Sequence, residues 1–485
     1  MDMVGNLNSK ESGFLRSALT IENRFQSMDE FMSWFNSRKT SHRFSVEQIP
    51  FNEFDNWYFE SQSRNLVHNS GKFFKVEGIR VNTNFGHIKK WDQPIINQPE
   101  IGILGIITKE FDGVKYFLMQ AKMEPGNVNI IQLSPTVQAT KSNYTQVHKG
   151  KEPVYLEYFL DRTKSKFLID QLQTEQGSRF LRKRNRNMIV EVNKDIQLHD
   201  DFCWLTLCQL KKLLTIDNLV NMDARSVLSC LPFIDENLER YYESLPSKEH
   251  DQIELFNQRL DGFPRDLFIS MIDRKHVCHS SDEIISWFTE LKTRYELKIE
   301  HIPLKDVSGW IRTEREIVHD KNKFFSVIAV SVKAGSREVY RWTQPLLKHT
   351  SYGIVGFITK KINGILHFLV QAKVEPGNFD IVEMAPTVSC SGAEDRIQQP
   401  TRPPFLDIFM NASSRHIKYS AVQSEEGGRF YHFQNKYMVL ELEPSDLLEI
   451  PENYMWMTLG QIMEFTKYNF FNIEARGLLS CLSLL

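Results

Sequence analysis

The chain has 485 residues, of which 41% are hydrophobic, 12% aromatic and 25% charged, a composition that builds packed cores and excludes an intrinsically disordered chain. Its 59 basic and 61 acidic side chains leave a formal charge of -2, so no global field recruits nucleic acid or a membrane surface, and phosphate recognition has to be local. No apolar run approaches the roughly 20 residues of a membrane span, and the opening MDMVGNLNSKESGFLRSALT lacks the pattern of a secretory signal, so the expectation is a cytoplasmic protein with no nucleic-acid or membrane partner.

In chain order, SMDEFMSWFNS from Ser27 places Ser and Asp ahead of an apolar i, i+3, i+4 stripe and predicts a capped amphipathic helix. KFFKVEGIRV reads as a strand, and IGILGIITKE and VKYFLMQA read as two strands joined by FDG, a hairpin signal. The second of these runs into QAKMEPGN, a strand tip entering a tight turn. Beyond it lies the polar stretch NVNIIQLSPTVQATKSNYTQVHKG, then EYFLDRTKSKFLIDQLQ, whose spacing predicts a helix. QTEQGSRF supplies a glycine turn beside Arg179, and Arg182, Lys183, Arg184 and Arg186 form a short basic run with the character of a solvated face. The segment after Trp204 is again helical in pattern.

The whole series then recurs. GILGIITKEFDGVKYFLMQAKMEPGN from Gly102 aligns without a gap with GIVGFITKKINGILHFLVQAKVEPGN from Gly353, at a constant shift of 251 positions. Trp34 pairs with Trp287, Trp57 with Trp310, His68 with His319, WDQP at Trp91 with WTQP at Trp342, and MDARSVLSCL from Met222 with IEARGLLSCL from Ile473. The expected organisation is a tandem α+β repeat: module one over residues 27–232, a charged helical linker over 233–279, and module two over 280–485.

The six cysteines form no CxxC pair and sit in no histidine cluster, so buried free thiols are expected and a zinc or redox centre is not. There is no GxGxxG opening a helix, no GxxxxGK[ST], no HExxH and no GxSxG, which disfavours nicotinamide, P-loop, zinc-protease and nucleophile-elbow chemistry. Strand alternation sends Gln120, Lys122 and Glu124 to one face, where an amide, a cation and a carboxylate meet. A carboxylate there serves as a general acid or base; the same residues read equally as an internal salt bridge and a turn that both modules need. Ser134, Thr136, Gln138, Asn143, Tyr144 and His148 are spread between apolar positions in module one, whereas module two diverges after APTV, so module one is the better candidate for a cleft. His68 and His319 precede KFF in their modules. Arg179 and Arg429 offer guanidinium groups suited to a diphosphate, or alternatively belong to a helix end and a salt-bridged strand. Trp57 and Trp310 read as base-stacking or as core.

Taken together, the SGKFFxVEGIRV, WxQPIINQPEIGILGII, LMQAKMEPGNVNIIQLSPTVQAT and YLEYF segments resemble those of the nucleotide-diphosphate-hexose 2,3-dehydratases, over nearly the whole chain. The resemblance implies a Nudix-hydrolase-like fold in each module, a homodimer, and a dTDP-linked 4-keto-6-deoxy sugar that loses its C2 hydroxyl without a cofactor or metal. The metal-binding Nudix box is missing: REIVHD at Arg315 and SEEGGRF at Ser424 are only fragments of it. Under this resemblance Glu124 or His68 is the base at C3, Tyr144 or the other of that pair the acid at C2, and Lys122 a cation near the C4 oxygen. Arg179 and Lys72 would hold the diphosphate, and Trp57, Gln120, Asn127, Ser134, Thr136, Gln138 and Asn143 would line the rest of the site. His319, Lys373, Glu375, Asn378 and Arg429 are the second-module equivalents. The other readings are a nucleotide-sugar-binding protein without turnover and a divergent Nudix-type hydrolase.

Overall fold

A computed structural model describes residues 13–41, 43–141, 153–232, 261–335, 339–349, 351–390 and 402–484. The first predicted helix spans Met28–Ser41 and its counterpart Ser281–Arg294. Both begin in a capping box: the Ser27 amide donates to the Glu30 carboxylate at 2.7 Å and the Glu30 amide to the Ser27 hydroxyl at 3.2 Å, with Ser280 and Glu283 repeating the exchange. The partner of each serine is thus the glutamate three residues on.

The strand that follows each helix leaves its own half. Phe44–Ile49 pairs antiparallel with Phe325–Ala334, and Leu297–Ile302 pairs antiparallel with Lys75–Thr83. The first half's smaller sheet therefore consists of Trp57–Phe59, Leu66–His68, Lys75–Thr83 and Lys90–Asn97 with one strand lent by the second half, and the second half's smaller sheet is built the same way with one lent by the first. One apolar cluster joins the two, with Ile49, Phe51, Trp57 and Val76 packed among Ile302, Leu304, Phe325 and Phe430.

Each half also has a larger seven-stranded sheet. In the first, Gly102–Phe111 pairs antiparallel with Val114–Met123 and parallel with Arg184–Glu191. Their hairpin turns through Asp112 (φ 51°) and Gly113 (φ 77°), and the copy through Asn363 (φ 53°) and Gly364 (φ 82°), the left-handed pair that a two-residue hairpin needs and that Asp-Gly and Asn-Gly tolerate. Short strands Ile131–Ser134 and Val137–Ala139 pair antiparallel with Val114–Met123 and Gly102–Phe111 and fix Lys122 opposite Gln132 and Leu104 opposite Gln138.

The segment expected to be one helix from Glu157 divides instead into a single helical turn, Glu157–Leu160, and a strand, Lys166–Thr174, at the sheet edge. Its Phe167, Leu168, Ile169 and Leu172 imitate helical spacing, but pairing with Arg184–Glu191 prevails. In the linking region, Gly262–Ile272 is a helix; residues 233–260 lie outside the described ones. All six cysteines are free thiols, and no described helix is long and apolar enough to cross a membrane.

The halves meet around helices Met222–Leu228 and Ile473–Ser480, which pack against each other. Arg225 and Arg476 are both fully buried there and reach across: Arg225 donates to the Ser424 carbonyl, Arg476 to the Thr174 carbonyl and, at 2.7 Å, to the Ser226 hydroxyl. The EPGN turns cross as well. The Gly126 amide donates to the Gly427 carbonyl at 2.7 Å, and the Gly377 amide to the Gly177 carbonyl at 2.6 Å. A Cβ on Gly126 would stand 1.6 Å from the Phe430 carbonyl oxygen, so backbone contact between the halves is what requires this glycine.

Candidate active site

Where the first half's EPGN turn meets the second half's EEGGRF turn, a cavity of about 500 Å³ opens, within the range of small-molecule sites. Its deep wall carries Lys122, Glu124, Gln138, Glu175, Lys183, Asn185 and Asp223 from the first half, with Glu426 and Arg429 from the second; Trp57, His68, Phe73, Arg341, Trp342 and Gln344 line it further.

The strand Val114–Met123 delivers Lys122 and the turn after it delivers Glu124, both buried. The Lys122 ammonium lies 3.7 Å from Glu124 Oε1 and donates to the Gln138 carbonyl at 3.4 Å. Gln138 Nε2 donates to Glu124 Oε1 at 2.8 Å, and Gln138 Oε1 accepts from Asn221 Nδ2 at 3.2 Å. Glu124 is therefore held between a cation and an amide donor. Opposite, Arg429 donates through Nε to Gln98 Oε1 at 3.2 Å and lies over the Phe74 ring at 4.4 Å. Asn185, fixed by the Gly102 amide at 3.0 Å, donates to Glu175 at 2.7 Å.

Burial sets the protonation of this wall. It raises the Asp223 carboxyl well above the usual carboxylate range, an effect strengthened by neighbouring Glu426, Glu175 and Glu124. Glu426 is pushed up to about 7 by burial, with Glu124 and Glu175 adding to the shift and Arg429 opposing it. Glu175 is raised as well, chiefly by burial, while Lys183 is lowered to about 8 by the same cause, partly offset by Glu175.

Of the residues singled out in the sequence, Trp57, His68, Lys122, Glu124, Gln138 and Arg429 meet at this cavity. His68 stands edge-on to Trp57 at 5.3 Å and to Phe73 at 4.7 Å, with Nδ1 2.7 Å from the Ser70 hydroxyl. Phe73 sits at φ 72°, a costly backbone state for an aromatic residue that its surroundings must enforce. Lys72 is exposed and off the cavity lining. Gln120 pairs with Phe202 and Ser134 inside the sheet. Ser134 and Thr136 are buried, the latter bonded to the Ile107 amide and the Leu118 carbonyl, and so tie strands together. Asn127 closes its own turn through the Ile130 carbonyl at 3.2 Å. Asn143, Tyr144 and His148 lie outside the described residues.

Arg179 is not on this cavity. The crossing of the turns carries it to the other half, where its Nε donates to His349 Nε2 at 3.1 Å and its guanidinium covers the Phe325 ring at 4.5 Å. The arginine facing Glu124 is Arg429. Around Arg179 the second-half residues repeat the pattern: Lys373 lies 2.7 Å from Glu375, Asn378 Nδ2 donates to the Lys373 carbonyl at 3.4 Å, and His319 stands edge-on to Trp310 at 5.6 Å. Yet His349 replaces Gln98, Phe433 replaces Lys183, and these two rings stack with centroids 3.4 Å apart.

Sequence reasoning passed over Glu175, Lys183, Asp223, Trp342 and Glu426. For two of them a signal was present: MDARS and IEARG keep an acid two residues ahead of the buried arginine, and EQG and EEG keep a glutamate before the crossing turn. Lys183 lay in a basic run that reads as surface, although it is buried and donates to the Glu100 carbonyl.

The family model for NDP-hexose 2,3-dehydratases matches this chain twice, over residues 28–231 and 281–482, and the chain belongs to that family. Among its relatives, a dTDP-4-dehydro-6-deoxy-alpha-D-glucopyranose 2,3-dehydratase of Saccharopolyspora spinosa is 46% identical over 99% of this chain and 96% of its own length. Proteins of the same name from Amycolatopsis orientalis, 43% identical over 96% of this chain and 92% of that protein, and from Streptomyces violaceoruber, 41% identical over 94% and 97%, are similar along nearly their full lengths.

Proposed function

We propose that this protein is a hydro-lyase that removes water across C2 and C3 of dTDP-4-dehydro-6-deoxy-glucose. The observation that carries the reading is the Lys122, Glu124 and Gln138 set, a carboxyl group held beside a lysine and an amide donor on the wall of a nucleotide-sugar-sized cavity. The 4-ketone acidifies the C3 hydrogen. Glu124 takes that proton, and the electron pair moves into a C3–C4 enolate whose oxygen faces the Lys122 ammonium, a charge placed before the reaction begins. The enolate then collapses to form the C2–C3 double bond, the C2–O bond breaks, and the oxygen leaves as water after gaining a proton. The product is the enol of a 3,4-diketo-2,6-dideoxy sugar, which tautomerises by losing the enol proton and gaining one at C2. The sequence is redox-neutral and needs no hydride carrier.

Arg429 and Arg341 supply positive charge toward the diphosphate, and Trp57 and Trp342 offer aromatic surface to the base. In this reading the catalytic cleft belongs mainly to the first module, with boundaries near residues 27–232, 233–279 and 280–485. The protein acts as a homodimer of Nudix-like modules in the cytoplasm, in the assembly of a deoxysugar of the kind attached to antibiotics. Incubating the purified protein with the 4-keto sugar nucleotide, with and without chelator, tests it by product mass. Loss of one water in both arms is expected. Release of a sugar phosphate dependent on divalent metal would replace the dehydratase with a hydrolase.

A further inference from the structure

Asp223 is one of the buried acids on this wall that the scheme leaves unused. It lies in the first turn of the helix Met222–Leu228, two residues after Asn221, whose side chain caps that helix through the Ala224 amide at 2.8 Å and holds Gln138 at 3.2 Å. Only 4% of Asp223 is exposed, and it lines the cavity. Among the described residues it has neither a hydrogen-bond donor nor a salt-bridge partner, whereas Glu124 on the same wall has both.

We propose that the Asp223 carboxyl is the general acid that protonates the departing C2 oxygen, working as the partner of Glu124. The assignment rests on the dehydratase reading and completes it. Of the carboxyls on this cavity, Glu124 is bonded by Gln138 and lies beside Lys122, whereas Asp223 has no such contact among the described residues, and burial beside Glu426, Glu175 and Glu124 raises it well above the usual carboxylate range against the opposing pull of Lys122. The groups facing it are Glu124 and Lys122 from the strand Val114–Met123 and its turn, Glu175 after Lys166–Thr174, and Glu426 from the second half; Arg225 lies on its own helix. In the step, the O–H bond of Asp223 breaks as the C2–O bond breaks. The proton leaves with the oxygen as water, the enolate electron pair closes the C2–C3 bond, and Asp223 becomes a carboxylate. Glu124, holding the C3 proton, and Asp223, lacking one, are reset by one proton passing between them or through solvent.

The acid acts after C3 deprotonation, so the two steps separate experimentally. In deuterated water, Asp223→Asn should still exchange the C3 hydrogen of the 4-keto substrate within about threefold of the unaltered enzyme, while water loss falls by about 10²–10⁴-fold. Asp223→Glu, which restores the carboxyl that Glu474 carries in the second half, should recover part of the elimination. Elimination by Asp223→Asn within about tenfold of the unaltered enzyme would place the acid elsewhere, for example at Tyr144. Parallel loss of exchange and elimination would make Asp223 a binding or structural group. Should Asp223→Asn fail to fold, the unaltered enzyme decides: the ratio of exchange to elimination should rise with pH as Asp223 ionises, and a constant ratio overturns the assignment. Absence of both exchange and water loss in the unaltered enzyme would instead remove the dehydratase reading itself.

Discussion

Lys183 and Gln98 in the cavity stand where Phe433 and His349 stand in the other half, and everything around these pairs is nearly the same. Both halves have a lysine and glutamate in contact, a buried acid before a buried arginine, and an arginine arriving from the opposite turn. The first pair leaves polar groups facing open space; the second closes on itself as two stacked rings with Arg179 bonded to the imidazole. The framework persists in both copies because the core requires it, while this pair of side chains lines a cavity in one copy and stacks ring on ring in the other.

The sharpest way to break this comparison is to transplant the closed arrangement. Gln98→His with Lys183→Phe should abolish detectable turnover while leaving the melting temperature within a few degrees; turnover near the normal level would show that these positions do not govern access. Next in size, Glu124→Gln should lower water loss by about 10²–10⁴-fold, and Glu375→Gln in the other half should stay within threefold. Comparable losses in both would mean that the second half also carries chemistry. Arg429→Ala should raise KM about 10–100-fold, the worth of a charged hydrogen bond of about 1.5–3 kcal/mol, whereas Arg179→Ala should change KM little, a contrast that steady-state kinetics reads directly.

The smallest effect concerns stability. Glu383, buried and raised to about 8, stands where the first half has Gln132. A carboxyl whose folded pKa exceeds its unfolded value of about 4.5 favours the folded state at low pH, and that advantage is lost as pH rises from about 4.5 to 8. Glu383→Gln should therefore melt at a temperature that gains on the unaltered protein as pH rises, by one to a few degrees at pH 8.5 relative to pH 5. A pH-independent difference would refute the shifted titration.

Much of this architecture was legible because local chemistry and fold agree. Asp112-Gly113 and Asn363-Gly364 marked the hairpins, Ser27 and Ser280 marked helix starts, and the EPGN match exposed the duplication. The alternation that put Lys122 and Glu124 on one face led to two residues of the cavity wall. What stayed hidden depended on which copy a residue serves. Internal alignment says that Arg179 and Arg429 are equivalent, but it is blind to the crossing of their turns, so Arg179 looked like Glu124's companion. Ser134 and Thr136 looked like ligand-facing polar groups because their backbone partners, the Pro135, Ile107 and Leu118 groups, lie on the same or neighbouring strands and have no signature in composition. Lys166–Thr174 was misread because edge-strand pairing, not periodicity, determines its state.

The lending of strands between halves also bears on how the chain acquires its shape during synthesis. Lys75–Thr83 lacks its neighbour Leu297–Ile302 until more than two hundred further residues have emerged from the ribosome. Meanwhile its pairing edge is open to any strand that passes. The nascent first half therefore waits, incomplete, for the second, and two separately expressed halves would each need the other's arm before either could close.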